Sequence, residues 1–212
     1  PMDTPVAYLL SQVCGRPVKI VMGYDEELLA ANTRHPSEIT VRTGFMRDGT
    51  LAALEVDAYF DSGAYGAFKG VPNVNLHAME LTASCYRLPA FDVKSSVAYT
   101  NAVPSGHMRS PGGPQIEFAV ESQLNIVSAE LGIDPAVLRM KNLIRPGDSA
   151  PNGEQWVNIK ADETLQAALD AIGWGEPKPS NVGRGLAIYE RAPIGGDSSC
   201  KLVLHEDGAL TL

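Results

Sequence analysis

The run from Tyr99 to Gln123, YTNAVPSGHMRSPGGPQIEFAVESQ, holds the residues best suited to chemistry. Pro104, Gly106, Pro111, Gly112, Gly113 and Pro114 crowd it, too many breakers for regular structure, and a loop is predicted. Pro114 suits the first turn of a helix, where a missing N–H costs nothing. Ile116, Val120, Leu124, Val127 and Leu131 then recur at helical spacing as far as Gly132, a natural stop. The loop would bring Arg109 and free backbone N–H groups to the mouth of that helix. There the unsatisfied donors and the positive end of the helix dipole point the same way, which favours an anion. Spacing alone also fits a plain connection with a solvated arginine, the commoner fate of such loops.

Other reactive side chains are sparse. Cys14, Cys85 and Cys200 are far apart and form no C-x-x-C pair, so neither a zinc site nor an iron–sulfur cluster is indicated. They read as small core residues. His77 is placed on a short predicted helix, where it either faces solvent without a role or meets a ligand, titrating near about 6.5 if unperturbed. A formal net charge of −8 and a pI near 5.0 exclude the basic footprint that nucleic-acid binding requires. No apolar run approaches a bilayer's thickness and no signal peptide opens the sequence, so the cytoplasm is the expected compartment.

The elements that must position the loop form a mixed pattern. Residues 4–13 suggest a helix capped by Thr4 with Pro5 at its first position. Val18 to Met22 reads as a short buried strand, and Tyr24 to Asn32 as a helix with Asp25, Glu26 and Glu27 in its first turn. Ile39, Val41, Thr43 and Phe45 alternate with polar neighbours, and Leu54, Val56, Ala58 and Phe60 do so on the return. Asp48-Gly49 between them predicts an antiparallel hairpin with a type I′ turn. Helix is predicted over 75–83 and strand over 91–101. After the long helix, Asp134-Pro135 opens another that runs to Lys141, and Glu163 to Ile172 is amphipathic. Leu186 to Glu190 and Lys201 to His205 read as strands. Hairpins and helices without β-α-β alternation predict an α+β fold. Breaker-rich stretches divide the chain into 1–148, a connecting segment over 149–183 with one helix, and 184–212. The chain opens on Pro1 and ends on apolar residues just past the turn at Asp207-Gly208, where a second strand should begin, and it is read as part of something larger.

A resemblance adds to this. The run YTN…P-x-G-x-M-R-S-P-G-G-P-Q…ES resembles the large, molybdenum-binding subunit of the xanthine dehydrogenase and aldehyde oxidase family. Gly15-Arg16-Pro17-Val18-Lys19, Asp25-Glu26-Glu27, Arg34-His35-Pro36, Asp48-Gly49-Thr50-Leu51 and Asp61-Ser62-Gly63-Ala64-Tyr65 match upstream. Leu138-Arg139-Met140-Lys141-Asn142-Leu143 and Gly147-Asp148 match downstream, so the similarity runs in the family's order over nearly the whole chain.

The resemblance implies part of a molybdopterin-binding domain. It implies a hydroxylase that oxidises aldehydes or N-heterocycles with water as the oxygen source, the metal being held by a pterin dithiolene (or its cytosine dinucleotide form) and not by side chains. Carried over by motif, Arg109, Ser110, Gly112, Gly113 and Gln115 would contact the cofactor, and His77, Pro111 and Glu190 would lie near the substrate. Purine-oxidising members have an aromatic ring where Pro111 stands and an arginine at His77, so the resemblance points away from purines. The family's catalytic glutamate lies in a glycine-flanked motif that no segment here matches. The 212 residues are therefore expected to be inactive alone, with iron–sulfur clusters and FAD on other domains or subunits. The carbon-monoxide-oxidising subtype is disfavoured because its cysteine-bearing loop is not seen. The competing readings are a phosphate-binding module without chemistry and a structural piece whose loop packs against a partner.

Overall fold

The computed structural model describes residues 3–66, 76, 85–149, 153, 155–189, 201 and 203–211. His77, Glu190, Cys200 and most of the helix expected over 75–83 lie outside them.

Alternation becomes a sheet where it was strongest. Strands β1 (Ser37–Phe45) and β2 (Leu51–Asp61) pair antiparallel, Val41 opposite Val56 and Ile39 opposite Ala58. Strand β3 (Phe91–Ala98) pairs with the other edge of β2, but parallel to it. The order is β1-β2-β3, so the sheet is mixed and not built from hairpins only. The central strand shows the period of two directly: Leu54, Val56, Ala58 and Phe60 are buried while the residues between them are not.

The hairpin turn corrects the type I′ expectation. Met46 N–H donates to Thr50 O and Gly49 N–H to Met46 O, while only Gly49 of the turn has positive φ, +81°. Type I′ needs two left-handed residues, and here the aspartate instead accepts Thr50 N–H at its Oδ1. The second hairpin repeats the device. Asp207 Oδ1 takes Ala209 N–H, Gly208 has φ +82°, and the short strands β4 (Val203–Leu204) and β5 (Leu210–Thr211) pair antiparallel.

Helix α3 (Gly113–Leu131) ends where Gly132 adopts φ +65° and donates back to Ser128 and Ala129 carbonyls. Its apolar stripe, Ile116, Val120, Leu124 and Val127, is buried. The first three join Val56, Ala58 and Phe60 of β2 in one core. Helix α4 (Pro135–Asn142) is capped by Asp134, whose side chain accepts from Ala136 and Val137 N–H groups, with proline at N1. Helix α5 (Ala161–Ala171) closes the core with Leu165 and Leu169.

The N-terminal segment departs from expectation. Helix α1 (Asp3–Cys14) starts before Thr4, which is therefore inside the helix and not its cap, and α2 (Tyr24–Ala30) follows; neither buries a residue. Val18–Met22 forms no strand, and Ile20 and Val21 are exposed. The run is apolar enough for a buried strand, but among the described residues no strand lies beside it to take its backbone groups. Cys14 is exposed on α1, against the core assignment; Cys85 is buried as expected. Residues 186–189 also form no strand, because a side chain, not a ladder, takes the Ile188 N–H: Glu121 Oε2 accepts it at 3.0 Å.

Candidate functional site

The loop before α3 adopts a conformation that side chains resist. Arg109 has φ +24° and Ser110 φ +54°, and Gly112, the N-cap of α3, has φ +82°. Left-handed backbone at two non-glycine residues costs on the order of 1 kcal/mol each, and such turns persist only when their surroundings hold them. Four contacts from distant parts of the sequence do so. Arg34 Nη1 donates to the carbonyls of both Met108 and Arg109, at 2.9 and 3.0 Å. Ser110 Oγ and Tyr189 Oη share a short hydrogen bond. Gln115 Nε2 donates to His35 O at 3.0 Å. Within the turn, Gly113 N–H closes onto Ser110 O at 3.1 Å.

The preceding strand end is fastened equally firmly. Asp61 Oδ1 accepts from Gly63 N–H at 2.7 Å and from Thr100 Oγ1 at 2.6 Å. Ser105 donates its N–H to Ser62 O, and Gly106 its N–H to Thr33 O. Gly63 must be glycine: φ is +69°, and a Cβ there would stand 2.3 Å from Val103 O. The short motifs around residues 34, 61 and 100 are thus one structure, a frame around the loop.

The structure brings Arg109, Ser110, Pro111, Gly112, Gly113 and Gln115 together at the start of α3; His77 and Glu190 are not described. Arg109 is exposed, and its guanidinium forms no ion pair with a described residue. Pro111 has no N–H, so the turn can offer those of Arg109, Ser110 and Gly112, none of which donates to another described backbone group. Gly112 is required for its φ and not for space, since an added Cβ would meet Leu76 at an ordinary 3.4 Å. Gln115 is fixed as an acceptor. Its amide nitrogen is committed to His35 O, and its buried Oε1 has no described partner. It borders an open groove of about 670 Å³ between β1 and α3, lined also by Arg34, Ile39, Pro114 and Phe118. Among the described residues no group of three His, Cys, Asp or Glu side chains could hold a metal ion.

Sequence reading missed Arg34 and Tyr189. Arg34 lies in a quoted motif, yet nothing local says that its guanidinium turns toward a loop 74 positions away. Tyr189 gives no signal at all before the fold is known.

Comparison with known proteins places this geometry. Residues 1–143 match the family model described as molybdopterin cofactor-binding domain. Over its full length the chain is 30% identical to the putative xanthine dehydrogenase molybdenum-binding subunit of Escherichia coli K12, covering 30% of that protein. It is 31% identical, again over its full length, to the aldehyde oxidoreductase of Megalodesulfovibrio gigas, covering 24% of it. The chain thus spans less than a third of either relative. The solved aldehyde oxidoreductase from Desulfovibrio gigas superposes with a TM-score of 0.63 at 29% identity, over 80% of this chain and 19% of that one. Quinoline 2-oxidoreductase from Pseudomonas putida shares the fold, with a TM-score of 0.66 at 24% identity over 78% of this chain and 22% of that one. With the family model and both full-length relatives in agreement, the chain belongs to the molybdopterin-binding domain of the large subunits of the xanthine dehydrogenase and aldehyde oxidoreductase family.

Proposed function

We propose that this chain contributes the 106–115 loop to the cofactor site of a hydroxylase that oxidises aldehydes or N-heterocycles with oxygen taken from water. The observation that carries the reading is the held turn: N–H donors at Arg109, Ser110 and Gly112 that meet no described backbone acceptor, beside an exposed Arg109 cation in no ion pair with a described residue. A molybdenum–pterin group fits these donors, since oxo and phosphate oxygens accept from fixed N–H groups. Gln115 Oε1, with no partner among the described residues, suits an N–H of a pterin ring.

When bound, that group supplies the two-electron oxidising centre. This chain's residues would do the rest of what they can do here. The turn amides and Arg109 hold anionic oxygens without reorganising, and Gln115 fixes the orientation of a neighbouring ring. Pro111 presents a small, apolar surface where an aromatic ring would stack, and with His77 in place of an arginine this favours a substrate other than a purine. Glu190 would lie near the substrate. Residues 1–148 and 184–212 would form parts of two subdomains joined by 149–183. Iron–sulfur clusters and FAD on other domains or subunits would take the electrons, and the assembly would work in the cytoplasm. Among the described residues no helix is long and apolar enough to cross a membrane.

No catalytic base is assigned within these residues, so the 212-residue chain alone should not turn over, and it should lose the pterin-bound metal on purification while its turn still takes free oxyanions in weak exchange. Stoichiometric molybdenum in the purified chain, or aldehyde oxidation by it, would contradict this. A second reading has its own observation. Helices α1 and α2 bury nothing, and Val13, Tyr24 and Leu29 are 83, 79 and 73% exposed, as a subunit-interaction surface would be. Co-purification of this chain with small redox subunits, lost on replacing those exposed apolar residues, would favour that reading.

A further inference from the structure

Arg34 makes the two hydrogen bonds that decide which way the loop's peptide units face. One nitrogen, Nη1, serves both acceptors, Met108 O and Arg109 O, so the two carbonyls point to the same side. Each carbonyl belongs to a planar unit whose other polar group is the N–H of the next residue. The described chain has no cis peptide bond. In a trans peptide C=O and N–H point in opposite directions. Drawing the carbonyls of Met108 and Arg109 toward Arg34 therefore turns the N–H groups of Arg109 and Ser110 away from it, side by side. Backbone preference would not do this unaided, because Arg109 and Ser110 both sit at positive φ.

We propose that Arg34 is a positioning residue that aims the N–H groups of Arg109 and Ser110 at an oxyanion or oxo ligand while staying on the opposite side of the turn. It rests on the cofactor-loop reading for the identity of that ligand but not for the orientation itself. Arg34 touches no part of the proposed ligand. It acts by taking the carbonyls out of competition and by holding a strained turn whose two amides are then paired donors. The neighbouring residue serves the same region by a different route, its carbonyl accepting Gln115 Nε2.

The test uses the full 212-residue chain, labelled for NMR, with sodium molybdate as the probe. Residual dipolar couplings report the two N–H vectors, and amide shifts during titration report binding. In the parent chain the Arg109 and Ser110 amides should shift together on titration. Arg34→Met should reorient both vectors and weaken molybdate by at least about tenfold, the loss of one hydrogen bond to a charged acceptor. Arg42→Met removes a cation from β1, one paired with Glu55 across the sheet, and should leave both readouts unchanged. Vectors unaltered in Arg34→Met overturn the proposal, as does equal weakening by Arg42→Met, which would reduce the effect to net charge. A parent chain silent to molybdate whose vectors still turn in Arg34→Met supports the positioning and overturns the cofactor-loop reading instead. If Arg34→Met does not fold, Arg34→Lys serves the same comparison, because its ammonium ends one bond short of the guanidinium nitrogen.

Discussion

Glu121 Oε2 accepts a 2.8 Å hydrogen bond from Arg139 Nε, between side chains that are 5 and 0% exposed. The pair is embedded in further hydrogen bonds. Arg139 also donates to Glu121 O, Asn125 Oδ1 and Pro135 O, and Glu121 also accepts from Tyr86 Oη and Ile188 N–H. Removing one member strands the other in an apolar core, and such losses run to about 3–5 kcal/mol, far more than the pair is worth against a hydrophobic replacement. Arg139→Met should lower the unfolding free energy obtained from urea titration by that much, and Glu121→Leu with Arg139→Met should recover a large part of it. A double variant as unstable as the sum of the singles would contradict this.

The same carboxylate shapes the alkaline limit. Burial pushes the Tyr86 phenol well above its ordinary value, and the Glu121 charge beside it adds to the shift. Above the ordinary tyrosine range, about 10, the unfolded phenol ionises while the folded one stays protonated, so the native state binds more protons and stability falls as pH rises. Tyr86→Phe should flatten that alkaline limb, at the cost of leaving Glu121 with one donor fewer at neutral pH. Thermal unfolding between pH 8 and pH 11 checks it: an alkaline slope identical in both proteins would place the lost proton elsewhere.

How much of this the sequence disclosed follows from the range of the interactions. Short-range features were legible: the period-two hairpin, the Pro114 start and Gly132 stop of α3, and the Asp134 cap all depend on neighbours within a few residues. The parallel placement of β3 was not, since it depends on the long connection from β2. Val18–Met22 and residues 186–189 misled because a short apolar run says what could pair, not whether a partner strand lies beside it. The family motifs were visible as residues but not as contacts. Asn142 illustrates this: its side chain accepts Leu51 N–H and donates to Gly49 O and Leu138 O, tying α4 to the hairpin turn. The candidate loop was legible as breakers plus a helix start, whereas the turn's handedness is imposed by Arg34 and Tyr189 from far away.

Asp48 gives the acid counterpart. Its carboxylate lies 2.8 Å from Lys141 Nζ, and that hydrogen bond, followed by those from Thr50, holds its pKa at about 2, below the ordinary 3.8. A depressed folded pKa contributes stability that is present above the unfolded value and lost as pH falls through the folded one. The contribution should therefore disappear between about pH 4 and pH 2, and Asp48→Asn should show a shallower fall across that window. The site is exposed, so the difference should shrink as salt is raised. A fall of equal steepness in both proteins at low ionic strength would assign the acid limb to other carboxylates.

The hydroxyl contact between Tyr189 and Ser110 predicts coupling without loss of fold. Tyr189 is 47% exposed, and its hydroxyl meets Ser110 Oγ inside the strained turn, while its neighbour Ile188 is anchored on Glu121. Deleting one hydroxyl near the surface should cost only about 0.5–1.5 kcal/mol, because water replaces part of the bond. Tyr189→Phe and Ser110→Ala should therefore each leave the core intact, and a double-mutant cycle should return an interaction energy of about 1 kcal/mol. The loop should register more than the global unfolding does, since the freed Ser110 no longer opposes relaxation of its positive φ. Faster hydrogen exchange confined to Arg109–Gly113 in Tyr189→Phe is the expected signature. Unchanged exchange there, or a cycle that sums to zero, would mean that the two hydroxyls are neighbours without energetic consequence and that the contacts of Arg34 and Gln115 hold the turn.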